Sequence, residues 1–164
     1  MKLRAPCARR TGVGAPDNLV ADTLVAAAGI AVSTRAGFSP TPFTGATSIL
    51  RNTLTRTGGY EPNWMTSFGG LWIFADASAL PPGLVVRDLD VVGSTYEGLL
   101  VSGAQRVDGA LFERVTIEGA GAAGIRIASP GSATFDAVRV SGAAAASSVA
   151  ASFSAKRDST STGW

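Results

Sequence analysis

GLWIFADASALPPGLVVRDLDVVGSTYEGLLVSG, residues 70–103, contains one full period of a repeat. It opens with GLWIF (70–74), turns through small residues, runs along LVVRDLDV (84–91), turns again and re-enters as GLLVS (98–102). Both kinds of segment are short, alternating and rich in β-branched residues, which is strand chemistry. Working outward, NLVADTLV (18–25), SILRNTLT (48–55), LFERVTI (111–117) and TFDAVRV (134–140) match the longer segment. GIAVS (29–33), GIRIA (124–128) and a degraded SVAAS (148–152) match the shorter one. The opening residues Gly29, Gly70, Gly98, Gly124 and Ser148 step by 41, 28, 26 and 24 residues, with the long first step explained by an insertion over residues 57–68.

A unit in the mid-twenties with short strands and no helical segment predicts an all-β chain: a right-handed parallel β-helix, a pectin-lyase-like solenoid of about five coils. A leucine-rich repeat would need a Leu/Asn framework and a helix. A β-sandwich also uses short strands with regular turns, but like residues here align with like. Ile30, Leu71, Leu99 and Ile125 form one apolar column, and Val32, Ile73, Val101 and Ile127 another. Stacked coils bury such columns as continuous ladders. The intervening Ala31, Trp72, Leu100 and Arg126 then face outward. Gly29, Gly70, Gly98 and Gly124 sit where a left-handed or Cβ-free residue suits the turn. Asn52 and Asp88, with Asp22, occupy similar turn places. The expected organisation is a disordered leader over 1–16, the β-helix over 17–153 and a disordered C-terminal tail over 154–164.

The composition excludes much. The 164 residues include no histidine and one cysteine, Cys7, which removes His-based triads, His-ligated metals and an internal disulfide. Neither a metal nor a cofactor is expected. Four of the 14 basic residues (Lys2, Arg4, Arg9 and Arg10) lie in the first ten positions, so residues 11–164 carry ten basic against twelve acidic groups. A nucleic-acid footprint requires a basic face on the folded body, and none is left. No apolar run approaches a membrane span of about 20 residues. GGLW and GAGAAG precede no helix and make no phosphate loop.

What remains is carboxylates and aromatics, the equipment of sugar chemistry. Glycoside hydrolysis uses two carboxyls across the scissile bond, roughly 5–5.5 Å apart for retention and 6.5–9.5 Å for inversion. Asp76, just after GLWIF, and Glu97, just before GLLVS, are the catalytic candidates. Their alternative role is that of solvated turn acids. The insertion gathers Tyr60, Trp64 and Phe68 beside Trp72, and Tyr96 lies at the mouth of the next coil. Tyr60, Trp64, Trp72 and Tyr96, with Arg126 on the outward column, are the candidate saccharide-binding residues. A loop burying its own aromatics is the competing reading.

The stretches DNLVADTLVAAAGIAVSTR, FTGATSILRNTLTRTGGYEPNW, GGLWIFAD and GSTYEGLLVSG resemble the mycodextranase and α-1,3-glucanase family of glycoside hydrolases, family 87. The resemblance runs from about Asp17 to Gly142. It implies a secreted right-handed β-helix that hydrolyses α-1,3-linked or mixed-linkage α-glucan with inversion. It also implies an aspartate cluster, including an adjacent Asp-Asp pair, in coils preceding the matched region. This sequence has no Asp-Asp dipeptide, and Asp17 and Asp22 do not fit the cluster. The resemblance therefore implies the C-terminal coils of a glucanase-like domain, with little hydrolysis by this chain alone. The alternatives are a non-catalytic carbohydrate-binding or structural β-helix, and a polysaccharide lyase using Arg126 beside a bound cation.

Overall fold

The computed structural model describes residues 12–16, 19–21, 28–35, 46–61 and 66–163. Among them are fifteen strands and no helix. In chain order these are β1 (Gly12–Pro16), β2 (Leu19–Ala21), β3 (Ile30–Ser33), β4 (Ala46–Thr55), β5 (Gly59–Glu61), β6 (Thr66–Phe68), β7 (Leu71–Phe74) and β8 (Val85–Val92). They continue as β9 (Leu99–Ser102), β10 (Val107–Glu118), β11 (Ile125–Ile127), β12 (Gly131–Asp136), β13 (Arg139–Ser141), β14 (Ser148–Val149) and β15 (Phe153–Arg157). The first sheet runs β1-β4-β8-β10-β12-β15, with β2 beside β4 and β13 beside β10; the second runs β14-β11-β9-β7-β3. Every pairing in both is parallel, so successive coils stack as a β-helix.

The second sheet carries the column alignment read from the sequence. Ile30 pairs with Leu71, Leu71 with Leu99, and Leu99 with Ile125. Leu71, Ile73, Leu99, Val101, Ile125 and Ile127 are all buried in one core cluster. From the first sheet, Ile49, Val86, Phe112 and Phe135 line up across β4, β8, β10 and β12 and point into the same cluster. The Phe112 and Phe135 rings stack 4.9 Å apart at 9°, as one coil spacing allows.

Two columns of left-handed residues bend each coil. Arg51, Asp88, Arg114 and Ala137 have φ between 51° and 54°. They occupy equivalent places, since the pairings on either side of each keep one register. The long strands β4, β8 and β10 are thus each two short strands joined at a corner, and the fourth coil breaks there into β12 and β13. Arg56, Gly93, Gly119 and Gly142, with φ of 49–66°, form a second such column and turn the chain toward the second sheet. Asp88 is therefore a corner residue. Asn52 sits one position further on, buried, with its Nδ2 donating to the Leu50 carbonyl at 2.9 Å. Asp22 lies outside the described residues.

The glycines at the openings of the second-sheet strands serve by lacking a Cβ rather than by left-handed backbone. A Cβ on Gly98 would lie 2.3 Å from Ile117 Cγ2, and one on Gly124 would lie 2.1 Å from Val140 Cγ1.

Three expectations are corrected. Residues 12–16 of the expected leader form β1, paired with β4 from Gly12 opposite Ala46 to Pro16 opposite Leu50; residues 1–11 lie outside the description. The expected tail contains β15, which pairs with β12, and Thr162, which bridges to Arg139. Ladder hydrogen bonds on a preformed edge outweigh the low strand propensity of these small polar residues. The last coil is also shorter than expected. Ser148 pairs with Arg126 rather than standing opposite Gly124, because nothing in GAAAASS marks where the turn ends.

Candidate functional site on the outward face of the second sheet

Within the inserted segment, β5 and β6 pair antiparallel as the two arms of a hairpin, Gly59 opposite Phe68 and Tyr60 opposite Ser67. In the outward column of the second sheet Ala31, Trp72, Leu100 and Arg126 are successive neighbours. The two middle residues, Trp72 and Leu100, are buried with Phe68 of β6, while Ala31 and Arg126 are exposed. Phe68, Trp72 and Leu100 form a second apolar cluster with Ala28 and Phe74 packed against it. Phe68 meets Trp72 edge-on at 4.6 Å and 82°, and Phe74 stacks on it at 4.9 Å and 20°. Trp72 Nε1 donates to Ser102 Oγ at 2.9 Å.

Trp72 is 4% exposed, so its ring offers no open face to a sugar. That corrects its assignment as a binding platform; the aromatic cover satisfies the indole instead. Tyr60 is 38% exposed and stacks on Tyr96 at 5.9 Å and 27°, so the two tyrosines present the open aromatic surface. Trp64 lies outside the described residues.

The two acidic candidates are not brought together. The Gly70 amide donates to the Glu97 carbonyl, and the ladder continues to the Ala75 amide, which donates to the Ser102 carbonyl. Glu97 precedes this ladder and Asp76 follows it. Continuing the β7–β9 register, Glu97 stands level with Gly69, seven positions before Asp76, on the order of 23 Å at roughly 3.3 Å per residue. That exceeds the carboxyl spacing of either hydrolytic geometry. Asp76 is half-buried, and its amide donates to Thr34 Oγ1 at 3.0 Å in a turn closed by the Thr34 hydroxyl donating to the Ser78 carbonyl at 2.7 Å.

Glu97 is instead paired with Arg126, whose Nη1 donates to Glu97 Oε1 at 3.3 Å. The glutamate side chain is 4% exposed and the arginine 52%. Glu97 Oε2 is buried and meets no donor among the described residues. The sequence carries a signal for this pair: Glu97 stands one residue before Gly98, and Arg126 two after Gly124. The repeat frame leaves them about 10 Å apart along the strand, a gap the long arginine side chain spans. Among the described residues no group of three or more Asp, Glu, Cys or His is placed to hold a metal.

The outward face of the first sheet is built differently. Arg87 Nε meets Glu113 Oε2 at 2.6 Å, Arg114 grips both oxygens of Asp88 at 2.6 and 3.1 Å, and Arg114 also contacts Glu113. The hydrogen bond from Arg114 holds the Asp88 carboxyl below its ordinary range. Further along, Asp136 stands opposite Asp158, next to the Phe135–Arg157 pairing. The hydroxyls of Ser161 and Thr160 hold Asp158 well below the carboxylate range, while its hydrogen bond to Asp158 pushes Asp136 up.

A parallel β-solenoid of this form, with an aromatic hairpin laid across one sheet, has a glycoside-hydrolase-like fold. More narrowly, it is like the catalytic domains of the GH87 α-1,3-glucanases. The catalytic unit of the thermostable GH87 α-1,3-glucanase from Streptomyces thermodiastaticus strain HF3-3 matches 93% of this chain with a TM-score of 0.75 and 25% identity. A GH87 α-1,3-glucanase catalytic domain in complex with nigerose matches 92% at a TM-score of 0.72 and 23% identity, as does an aspartate-to-alanine variant in complex with tetrasaccharides. The chain spans about a third of the length of these structures, 31–33%. No protein-family model matches the sequence, and no curated protein matches it.

Proposed function

We propose that the chain is part of an extracellular α-glucan-processing β-helix, and that it contributes contact with an α-1,3-linked saccharide rather than the hydrolytic acid pair. The observation that carries the reading is the match to the Streptomyces catalytic unit over 93% of the chain. Supporting it is an outer face that combines stacked tyrosines with a carboxylate–guanidinium pair, surfaces suited to the apolar faces and the hydroxyls of a pyranose. Inverting hydrolysis needs two carboxyls with room for a water between them, and Asp76 and Glu97 do not supply that geometry. Non-catalytic saccharide binding is therefore the role assigned to this chain by itself.

The test is to titrate the purified chain with nigerose and longer α-1,3-gluco-oligosaccharides while assaying release of reducing ends from α-1,3-glucan. Binding without release is expected. Release abolished by Asp76→Asn or Glu97→Gln would overturn the division of labour, and absence of binding at millimolar ligand would overturn the saccharide reading.

A further inference from the structure

The Glu97 carboxylate is a buried charged group that is only partly satisfied. It is almost wholly enclosed and, among the described residues, accepts one long hydrogen bond from Arg126 and has a second oxygen with no donor. A buried carboxylate oxygen without a donor is costly, and apolar packing like that of Phe68, Trp72 and Leu100 would fill the same space at lower cost. On the first-sheet face, by contrast, Asp88 and Glu113 find arginine partners at 2.6 Å.

We propose that Glu97 and Arg126 form a recognition pair for vicinal hydroxyls of a neutral pyranose, which donates to Glu97 and accepts from Arg126. The proposal rests on the saccharide reading above and assigns its site. Three features support the ligand class. The carboxylate and guanidinium neutralise each other, so neither an anion nor a cation gains net attraction, whereas a neutral diol offers both a donor and an acceptor. The guanidinium is half exposed and held by one 3.3 Å contact, at the long end of hydrogen-bond geometry. Rotation of such an exposed side chain is fast and opens the carboxylate to an incoming hydroxyl. Tyr96 precedes Glu97 in the chain and stacks on the exposed Tyr60, giving the apolar face of a ring a surface beside the pair.

The experiment compares the wild-type chain with Glu97→Gln and Arg126→Gln. Each is titrated with nigerose, α-1,3-gluco-oligosaccharides, maltotriose, cellotriose, galacturonate and inorganic sulfate, with the fold checked by circular dichroism. Each variant is expected to lose about tenfold or more in affinity for the neutral saccharides. A second measurement needs no folded variant at position 97: the Arg126 Nε–H resonance of the wild-type chain, assigned with Arg126→Lys, shifts on titration with the bound saccharide. If α-1,3-oligosaccharides bind all three proteins equally, the pair is overturned and the glucan reading stands. If only maltotriose or cellotriose binds, and does so through Glu97, the pair stands and the glucan reading falls. Tighter binding of galacturonate or sulfate than of neutral sugar, or an Arg126 resonance that no saccharide moves, overturns the pair.

Discussion

The two outward faces of the solenoid handle polar groups in opposite ways. On the first sheet, Arg87, Asp88, Glu113 and Arg114 are interlocked ion pairs in contact with solvent. On the second, a hairpin seals Trp72, Leu100 and Phe68 into a small apolar layer, and the Glu97 carboxylate is enclosed with one oxygen unmet among the described residues. Exposed pairs cost little to form and contribute little. An enclosed carboxylate short of donors costs stability, so its presence marks a surface shaped by something besides folding.

The contrast can be broken most severely at Trp72. Trp72→Ala is expected to destabilise the chain by ~3–5 kcal/mol in denaturant unfolding, the range for large aromatic truncations in cores. Arg114→Ala on the other face should scarcely move the midpoint, and any effect should shrink further at 1 M salt. Equal losses at the two positions would mean that the faces do not differ.

An intermediate effect is expected at the corners. Gly98→Ala drives a methyl against Ile117 and should cost ~1–3 kcal/mol through overpacking. Gly93→Ala meets its nearest neighbour, Arg56 Cγ, at 3.7 Å. It is left with only the left-handed backbone penalty, about 1 kcal/mol. Unfolding curves showing Gly93→Ala as the worse of the two would reverse the assignment of Cβ-free and left-handed positions.

The smallest effect belongs to the charged face and depends on pH. Asp136 is raised by its contact with Asp158, so the folded state binds its proton more tightly than the unfolded chain. Its contribution is present below the ordinary carboxylate value of 3.8 and is lost as pH rises through the raised value. Asp136→Asn should therefore raise Tm slightly at pH 7, with the gain fading in acid. Asp158 is lowered, so its contribution is present at neutral pH and lost as pH falls below 3.8 and through the lowered value. Asp158→Asn should lower Tm at pH 7 with no such loss in strong acid. Thermal melts at pH 7 and pH 3 read the Asp136 sign, and a further series carried down toward about pH 1 reads that of Asp158.

The second sheet was legible in the sequence because period-two alternation within a strand and repetition between strands constrain the same residues. Leu71, Leu99 and Ile125 satisfy both. The first left-handed column was not legible: Arg51, Arg114 and Ala137 carry no chemical mark of that conformation, and only Asp88 is of a type enriched there. The enclosure of Trp72 was hidden because it depends on where the hairpin folds back, a contact unrelated to the repeat. The incompatibility of Asp76 and Glu97 was readable in principle, since one follows its strand and the other precedes it. Their shared outward placement fixes the face they occupy but not their distance along it.

Fourteen positions separate Arg56 from Gly70, whereas five separate Gly93 from Gly98 and Gly119 from Gly124. The extra length leaves as the hairpin and returns without disturbing the pairing of β7 with β9. That corner behaves as a splice site. The stacked rungs supply a frame indifferent to what branches from it, so recognition elements can be exchanged there as cassettes, and binding can diversify while the frame stays in register.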